Sequence, residues 1–538
     1  MSTNRKAMTQ IQDQTRVILS VPVTSATVMQ QACEFAISQN LAFIELRLDA
    51  LTGDHAFVPS LMASFPDLKF LLTCRTRAEG GQSNADFATR FQLLQEARGE
   101  SHAMVDIEWR DMEDASQRQI VLNTFQAGDL VLSHHILDDS GSRDERASRI
   151  HSLIHDMRRQ VPNAIPKVAY ATSTVDATWT ALDVMKQHEP GTTVIAMGST
   201  GTWTRVLGAK FMAFGSYGPE TLQRSTAPGQ ISACDLDRTY GLSSIGPATR
   251  VYGVVGQPVG HSLSPLLHNF WFAAAGIDAV YVPIEVGHEA GTLFQFLDEC
   301  ESRPWLHLCG LSVTIPHKRD ALAWAGDGAD RHAVSIGAAN TLVIGDGRRY
   351  ATNTDCYASV DAICMALSCD KTDLAGCSVD VLGYGGAARG LCTGLRDIGC
   401  KIRLYGRDRS RSVELATLLN QDGQFVEVRS WSQRHQRDGR IVVNTTPVGM
   451  WPAVDESPLE PDGVDGAELV FDMIYRPFET KLLRAVRETG IKTTNGLDMF
   501  LLQAAAQFVL WTGVEPDLDS GRKELMRVLT EDELSENG

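Results

Sequence analysis

A chain of 538 residues is long enough for roughly three or four ordinary domains, or for one barrel of about 250 residues with further units. Hydrophobic residues make up 43% and charged residues 21%, a globular balance that excludes wholesale disorder. The formal net charge of −17 opposes a phosphate backbone, which argues against a general nucleic-acid binder but leaves small anionic substrates open to a local cationic pocket. No apolar span of about 18 residues is present, and the opening MSTNRKAMTQIQDQT lacks the apolar middle of a secretory signal, so neither membrane insertion nor export is expected. The eleven cysteines form no CxxC pair, and a reduced, cytoplasmic protein with packed thiols is expected. His151 and His155 stand four apart, but HSLIH lacks the glutamate of HExxH, so no metal site is expected.

From Val17 to Gly218, short apolar runs alternate with longer amphipathic stretches. The runs begin at Val17, Phe43, Lys69, Met104, Leu130, Pro166, Thr193 and Phe214. Their spacing of about 20 to 35 residues suits the βα unit, and eight such units predict a closed (β/α)₈ barrel. Polar residues gather at the trailing ends of these runs: Glu45, Arg47 and Asp49, then Arg75, then His135. In a barrel those ends face the mouth, where side chains from separate strands converge. Residues 236–250, rich in turn formers and without an apolar period, read as a linker. Beyond it, strands are expected in VYGVVG, YVPIEV, LCGLSV and NTLVIG. SVDVLGYGGAARG then runs an apolar strand into a glycine loop and a helix, the opening of a nucleotide-binding βαβ unit. KIRLYG, RIVVNTTP and LVFDMIY extend that unit, and a helix is expected from Gly496 to Gly513.

Lys167 starts the sixth run. Burial beside cations such as Arg205 would free its amine for imine formation with a ketone, and an imine makes the adjacent proton removable by a modest base. His135 is the natural base or acid, because imidazole titrates near neutrality. The preceding His134 should face the other side of the strand and is expected to be structural. The pieces ELRLD, TCRTRAEGG, SHH, IPKVA, TGTWTRVLG and STAPGQIS, in this order, closely resemble the motifs of type I 3-dehydroquinate dehydratase. The resemblance covers the first half and implies a Schiff base at Lys167, with His135 as general acid/base. It further implies that Glu45, Arg47, Arg75 and Arg205 bind substrate hydroxyls and carboxylate, that Glu79 supports the histidine, and that Gln230 lies on a closing loop. Asp49 is expected either to hold Arg47 or to touch substrate. The loop carries Thr226 where the family usually has serine, which keeps the hydroxyl and adds a methyl group.

In the second half, Lys318 in SVTIPHK and Asp355 in TNTD form a pair able to pass a proton to or from a hydroxyl, provided they meet. The glycine loop fits GxGxxA, whose glycines allow the tight turn and the close approach of backbone N–H groups to a pyrophosphate. GQPVGHSLSP, SVTIPHK, AANTL, NTD, GYGGAARG, NTTPVGM and NGLDMFLLQAA resemble shikimate dehydrogenase in family order. That resemblance implies NADP-dependent, reversible reduction of 3-dehydroshikimate to shikimate, with Lys318 and Asp355 as the proton-transfer dyad. Ser262, Ser264, Thr314, Asn340, Tyr475 and Gln503 would hold the substrate. Gly383, Gly385, Gly386 and Ala387 would carry the pyrophosphate, with Asn444, Thr445 and Met450 along the cofactor groove. Arg407 and Arg411, flanking Asp408 after the KIRLYG strand, would clamp the 2′-phosphate of NADP.

The two resemblances together imply an α/β protein: a dehydratase barrel over 15–235, a linker over 236–250 and a substrate-binding α/β domain over 251–357. A Rossmann NADP-binding domain over 358–495 and C-terminal helices over 496–538 complete it. The implied partners are 3-dehydroquinate, 3-dehydroshikimate and shikimate, without nucleic acid or membrane, and the activities are expected to separate at the linker. Two other readings stand beside this one: a quinate/shikimate dehydrogenase half using NAD, and a non-catalytic homologue that senses pathway intermediates.

Overall fold

The computed structural model describes residues 15–345, 347–421 and 423–536, and the chain divides into two compact units at Leu308/Cys309. In the first unit eight parallel strands form one sheet: β1 (Arg16–Pro22), β2 (Phe43–Arg47), β3 (Lys69–Thr73), β4 (Met104–Glu108), β5 (Leu130–Ile136), β6 (Ile165–Ala171), β7 (Thr193–Met197) and β8 (Gly215–Gly218). Each strand from β1 to β6 pairs with the next in sequence, and β8 returns to pair with β1. Between β7 and β8 the gap is bridged by Gly191 and Ala213 just ahead of the two strands. The barrel expected from the periodicity is therefore present, with the strands at the expected positions.

Period-two alternation builds the interior in layers. Ile18, Phe43, Leu71 and Val131 are buried together in one apolar cluster, with Met104 and Ile165 packed against it. Two residues further along the same strands come Ser20, Glu45, Thr73, Asp106, Ser133 and Lys167, all buried. One strand set thus carries an apolar floor and a polar layer above it. Lys167 is the third residue of β6, so it belongs to this layer and not to a strand end.

The helices that matter below are α1 (Arg143–Gln160), α2 (Val175–Gln187) and α3 (Thr202–Leu207). α1 begins in a capping box in which Ser142 and Glu145 satisfy each other's backbone N–H groups. Its buried stripe, Arg146, Ile150, Ile154 and Met157, has helical spacing. Residues 236–250 are not a loose connection. Leu236 and Leu242 are fully buried, and the Lys210 ammonium, itself buried, donates to the Pro247 carbonyl at 3.0 Å and to the Thr249 carbonyl. Beyond this segment the first unit continues with the parallel pair β9 (Arg250–Gly256) and β10 (Ala279–Glu285) and with α4 (Thr292–Glu301).

In the second unit β11 (Leu308–Val313), β12 (Thr341–Gly345) and β13 (Arg348–Thr352) pair antiparallel. Two helices follow strand ends here, α5 (Lys318–Ala325) and α6 (Asp355–Leu367). A six-stranded parallel sheet has the order β16-β15-β14-β17-β18-β19. Its strands are β14 (Ser378–Leu382), β15 (Lys401–Gly406), β16 (Val426–Ser430), β17 (Ile441–Asn444), β18 (Leu469–Asp472) and β19 (Lys492–Asn495). With α7 (Gly386–Asp397) and α8 (Arg409–Leu419) it makes the doubly wound nucleotide-binding architecture. α9 (Gly496–Thr512) follows β19. Three strands, β13 (RRYAT), β16 (VEVRS) and β19 (KTTN), are not legible as apolar runs, because β16 and β19 are sheet edges and β13 pairs on one side only. Among the described residues no helix is long and apolar enough to cross a membrane.

Candidate active sites

The first unit holds a cavity of about 460 Å³, lined by side chains from the trailing halves of the barrel strands and from the loops that follow them. Lys167, His135, Glu45, Arg75 and Arg205 all line it, and so do Arg47, Glu79, Thr226 and Gln230. The expected residues of the first half are thus brought to one place. Their interactions differ from expectation in three respects.

The charged groups on Lys167 are carboxylates and not Arg205. Its Nζ lies 3.3 Å from Asp106 Oδ2 and 3.8 Å from Glu45 Oε1, over the face of Tyr217 at 3.9 Å. Glu45 is itself held by the hydroxyls of Ser20 and Thr73, at 2.5 and 2.9 Å. Burial opposes the charge of Asp106, but Arg75, Lys167 and the Ser133 hydroxyl hold its carboxyl below the usual range.

Arg75, moreover, is not a free cation. Its buried guanidinium is shared among Asp106 at 2.8 Å, Ser133 at 2.7 Å, and Glu79 and Glu108 at 3.4 Å each. Arg47 makes two 2.8 Å bonds to Asp49. Arg205 is different. It is buried, its Nη2 donates only to the Pro228 carbonyl at 3.0 Å, and its Nε has no protein partner among the described residues. Burial alone pulls this guanidinium down to about 10. Of the three arginines it has the donors to receive an anion.

His134 does not line this cavity, as expected, yet it approaches the same carboxylate as His135. Glu79, in the turn after β3, accepts from the backbone N–H of His135 at 3.1 Å and lies 3.0 Å from its Nδ1. The other oxygen of Glu79 is 3.5 Å from His134 Nδ1. Burial pushes Glu79 up to about 8, with Glu108 adding to the rise and Arg75 opposing it. Burial and the cations Arg75, Lys167 and Arg47 push His135 well below its ordinary value. The pair therefore favours one shared proton on a neutral imidazole–carboxylic acid couple. Above it, Gln230 Oε1 accepts from the backbone N–H groups of Thr226 and Ala227 at 2.8 and 3.1 Å, and the Thr226 hydroxyl stands 3.4 Å from that of Ser20.

In the second unit a cavity of about 400 Å³ is lined by Lys318, Asp355, Gly385, Gly386, Arg389 and Arg411, among others. Lys318 is the first residue of α5 and Asp355 the first of α6, and Lys318 Nζ meets Asp355 Oδ2 at 2.6 Å. The dyad and the glycine loop therefore open on one space. Gly383 has φ +114°, and a Cβ there would collide with the Thr445 hydroxyl, so only glycine fits. At Gly385 and Gly386 a Cβ would meet nothing within 4 Å. The open ground ahead of α7 is the cradle a pyrophosphate needs, and Ala387 continues into the helix.

The remaining candidates are placed as follows. Asn340 donates to Thr354 Oγ1 at 3.1 Å and accepts from Thr354 N–H at 2.9 Å, tying down the entry to α6. Thr314 accepts from His317 N–H through its carbonyl, Tyr475 stacks near Phe500 with centroids 5.5 Å apart, and Gln503 donates to the Phe500 carbonyl at 3.0 Å. Ser262, in the first unit, accepts from Ser264 N–H at 3.2 Å where a helix begins. Asn444 is fully buried and donates to Asp472 at 3.0 Å; burial pushes Asp472 up to about 6. The Asn444 side chain is spent inside the fold, bonding Val448, Asp472 and Thr446. The Thr445 hydroxyl donates to the Leu382 carbonyl at 2.6 Å, and Met450 is exposed. After β15, Arg407 is exposed, while Asp408 caps α8 by accepting from Arg411 N–H at 3.1 Å and lies 3.7 Å from Arg411 Nε.

Asp106, Ser133, Ser20, Tyr217 and Arg389 do not stand out in the sequence. A signal for Asp106 is there nonetheless: an acid at the inward register of MVDIEW, between apolar residues, has to find a cation inside the barrel.

Residues 17–247 match the family model for type I 3-dehydroquinase, residues 254–342 that for the shikimate dehydrogenase substrate binding domain, and residues 496–526 that for the shikimate 5′-dehydrogenase C-terminal domain. The bifunctional 3-dehydroquinate dehydratase/shikimate dehydrogenase, chloroplastic, of Arabidopsis thaliana is 31% identical over 516 residues, covering 92% of this chain and 82% of its own. NADP(+) shikimate dehydrogenases of Methanocella arvoryzae and Rhodospirillum rubrum are each 40% identical, covering 50% of this chain and 95% and 94% of their own.

Proposed function

Because the chain belongs to the bifunctional 3-dehydroquinate dehydratase/shikimate dehydrogenase family, we propose that it dehydrates 3-dehydroquinate through an imine on Lys167 and then reduces 3-dehydroshikimate to shikimate with NADPH. The observation that carries this reading is the buried lysine and the half-buried His135, paired with buried Glu79, lining one cavity with Arg205.

Lys167 must shed a proton before its amine attacks the ketone, and Asp106 and Glu45 are the carboxylates in reach. Loss of water then gives the imine, and His135 removes the proton on the carbon α to it. The β-hydroxyl leaves as the double bond forms, and hydrolysis of the imine releases product and amine. His135 has to act first as base and then as acid. The Glu79 partner supports both roles: as base, Nε2 takes the substrate proton while Nδ1 passes its own to the Glu79 carboxylate, and as acid, Nε2 gives its hydrogen to the leaving hydroxyl while Glu79 returns a proton to Nδ1. Arg205 receives the substrate carboxylate, since its buried Nε has no protein partner among the described residues and no carboxylate pairs with it.

For the second reaction the open loop at Gly385 and Gly386 fits a pyrophosphate, and Arg407 and Arg411 would hold a 2′-phosphate. NADPH, when bound there, supplies the hydride. Lys318 and Asp355 hand a proton to the ketone oxygen as it becomes a hydroxyl, and their 2.6 Å contact relays it onward. The cytoplasm is the compartment we assign, supported by eleven free thiols.

The test is a pair of assays on one preparation. Borohydride with 3-dehydroquinate should fix ligand mass on the Lys167 peptide. Lys318→Ala should lower dehydrogenase kcat by about 10²–10⁴-fold and leave dehydration unchanged. Trapping elsewhere, or loss of both activities in a folded Lys318→Ala protein, would overturn the assignment.

A further inference from the structure

α6 begins at Asp355 and ends four residues before Lys371, and its last turn closes in a specific way. Ser368 takes the left-handed conformation, with φ +58°. Its N–H reaches back to the Met365 carbonyl at 3.2 Å, and the next N–H, of Cys369, reaches the Cys364 carbonyl at 3.1 Å. These two bonds define a Schellman motif, a geometry in which the side chain just past the turn folds back onto the one five residues earlier. In most proteins that contact is between two apolar side chains. Here both positions are cysteine, and Cys369 packs against the core cluster that contains Cys364.

Cys364 is the inner member, 9% exposed and part of the core of the nucleotide-binding sheet, while Cys369 is half-buried at its margin. Burial pushes the Cys364 thiol up to about 11, and the Lys371 ammonium, close by and paired with Asp361, pulls the other way. The other thiols nearby are differently engaged. Cys400 is fully buried and bonded to the Leu374 carbonyl at 3.1 Å, and Cys377 is in contact with Arg440.

We propose that Cys364 and Cys369 form a reversible dithiol–disulfide site built into the C-terminal turn of α6. The more accessible Cys369, as thiolate, attacks a low-molecular-weight disulfide such as oxidised glutathione, expelling one thiol and leaving a mixed disulfide. Cys364 then gives up its proton and displaces the second thiol, so two protein thiols are oxidised and one small disulfide is reduced to two thiols. The product closes a loop of six residues across a backbone turn whose two hydrogen bonds already bring these positions together. No residue of either active site takes part in the exchange.

The test uses the full-length protein. It is equilibrated with oxidised glutathione, alkylated, and digested with trypsin, and the peptide spanning residues 350–371 is sequenced by mass spectrometry. That peptide also carries the fully buried Cys356, which serves as an internal control. The expected result is loss of two hydrogens, no alkylation at Cys364 or Cys369, alkylation of Cys356 only after unfolding, and full return on reduction. Cys369→Ser should abolish the linkage and leave Cys364 unmodified in the folded state. Glutathione retained on Cys369 without ring closure, or a bond from either residue to Cys356 or Cys377, would overturn the proposal.

Discussion

Glu79 and His135 titrate in opposite directions for the same reason: both are buried, and burial penalises whichever form of each group is charged. Glu79 is the raised member. Its contribution to stability is complete below the ordinary carboxylate range and is lost as pH rises through about 8. Glu79→Gln removes that loss, so its melting temperature should fall less than that of wild type between about pH 5 and pH 8. The same variant cannot alternate tautomers across the pair, and dehydratase kcat should drop about 10²–10³-fold, with the basic limb of the pH profile gone. Arg205 makes a second prediction at this scale. A buried guanidinium with an unspent Nε should be worth most to a bound carboxylate, so Arg205→Ala should raise KM for 3-dehydroquinate at least about 100-fold. Arg47→Ala should cost less, because that side chain is already satisfied by Asp49.

The turn from β15 into α8 shows how one element divides its charges. Asp408 serves as the helix cap and pairs with Arg411, so it is spent on the element and does not stand free to repel a 2′-phosphate. Arg407 remains exposed beside it. The expected outcome for Arg407→Ala is a fall of about 10- to 100-fold in the ratio of kcat/KM for NADPH over NADH, with α8 intact by circular dichroism. An unchanged ratio would show that this turn does not read the phosphate. On β4 a comparable division holds: Met104 supplies the apolar floor, and Asp106 at the next inward position supplies the counter-charge for Arg75 and Lys167.

Within the first unit, the barrel and the segment after residue 250 share a buried aromatic seam. Phe296 of α4 stacks on Trp179 of α2 at 5.7 Å and meets Trp203 of α3 edge-on at 6.1 Å, all three fully buried. Arg303 covers the Trp179 ring at 4.6 Å and pairs with Asp183 at 2.7 Å, while Arg143 of α1 pairs with Glu299 at 2.8 Å. This seam is packing that a cut at residues 236–250, where the activities are expected to separate, would expose. Phe296→Ala should destabilise the full chain by about 3–5 kcal/mol in denaturant titration. A fragment starting at Thr249 should be poorly soluble alone and recover when the barrel fragment is added in trans. A soluble, fully active fragment would show that the seam is dispensable.

Much of this is legible in the order of the amino acids alone. The βα spacing, the period-two runs and the glycine loop between SVDVL and a helix are local patterns, and local patterns settle which elements form and in what order. The residues proposed to carry the chemistry, Lys167, His135, Lys318 and Asp355, are legible for the same reason, since each lies in a short motif. What the sequence could not contain is which side chains use up one another. Arg75 and Arg205 read alike, yet one is saturated by four partners and the other keeps a donor free. Asp106 lies in no motif, and only the parallel packing of β4 against β3 and β5 turns it toward Arg75 and Lys167. The seam at Phe296 joins positions more than ninety residues apart in the chain. Hydrogen-bond saturation and burial are properties of neighbours distant in sequence, so tertiary packing alone decided them.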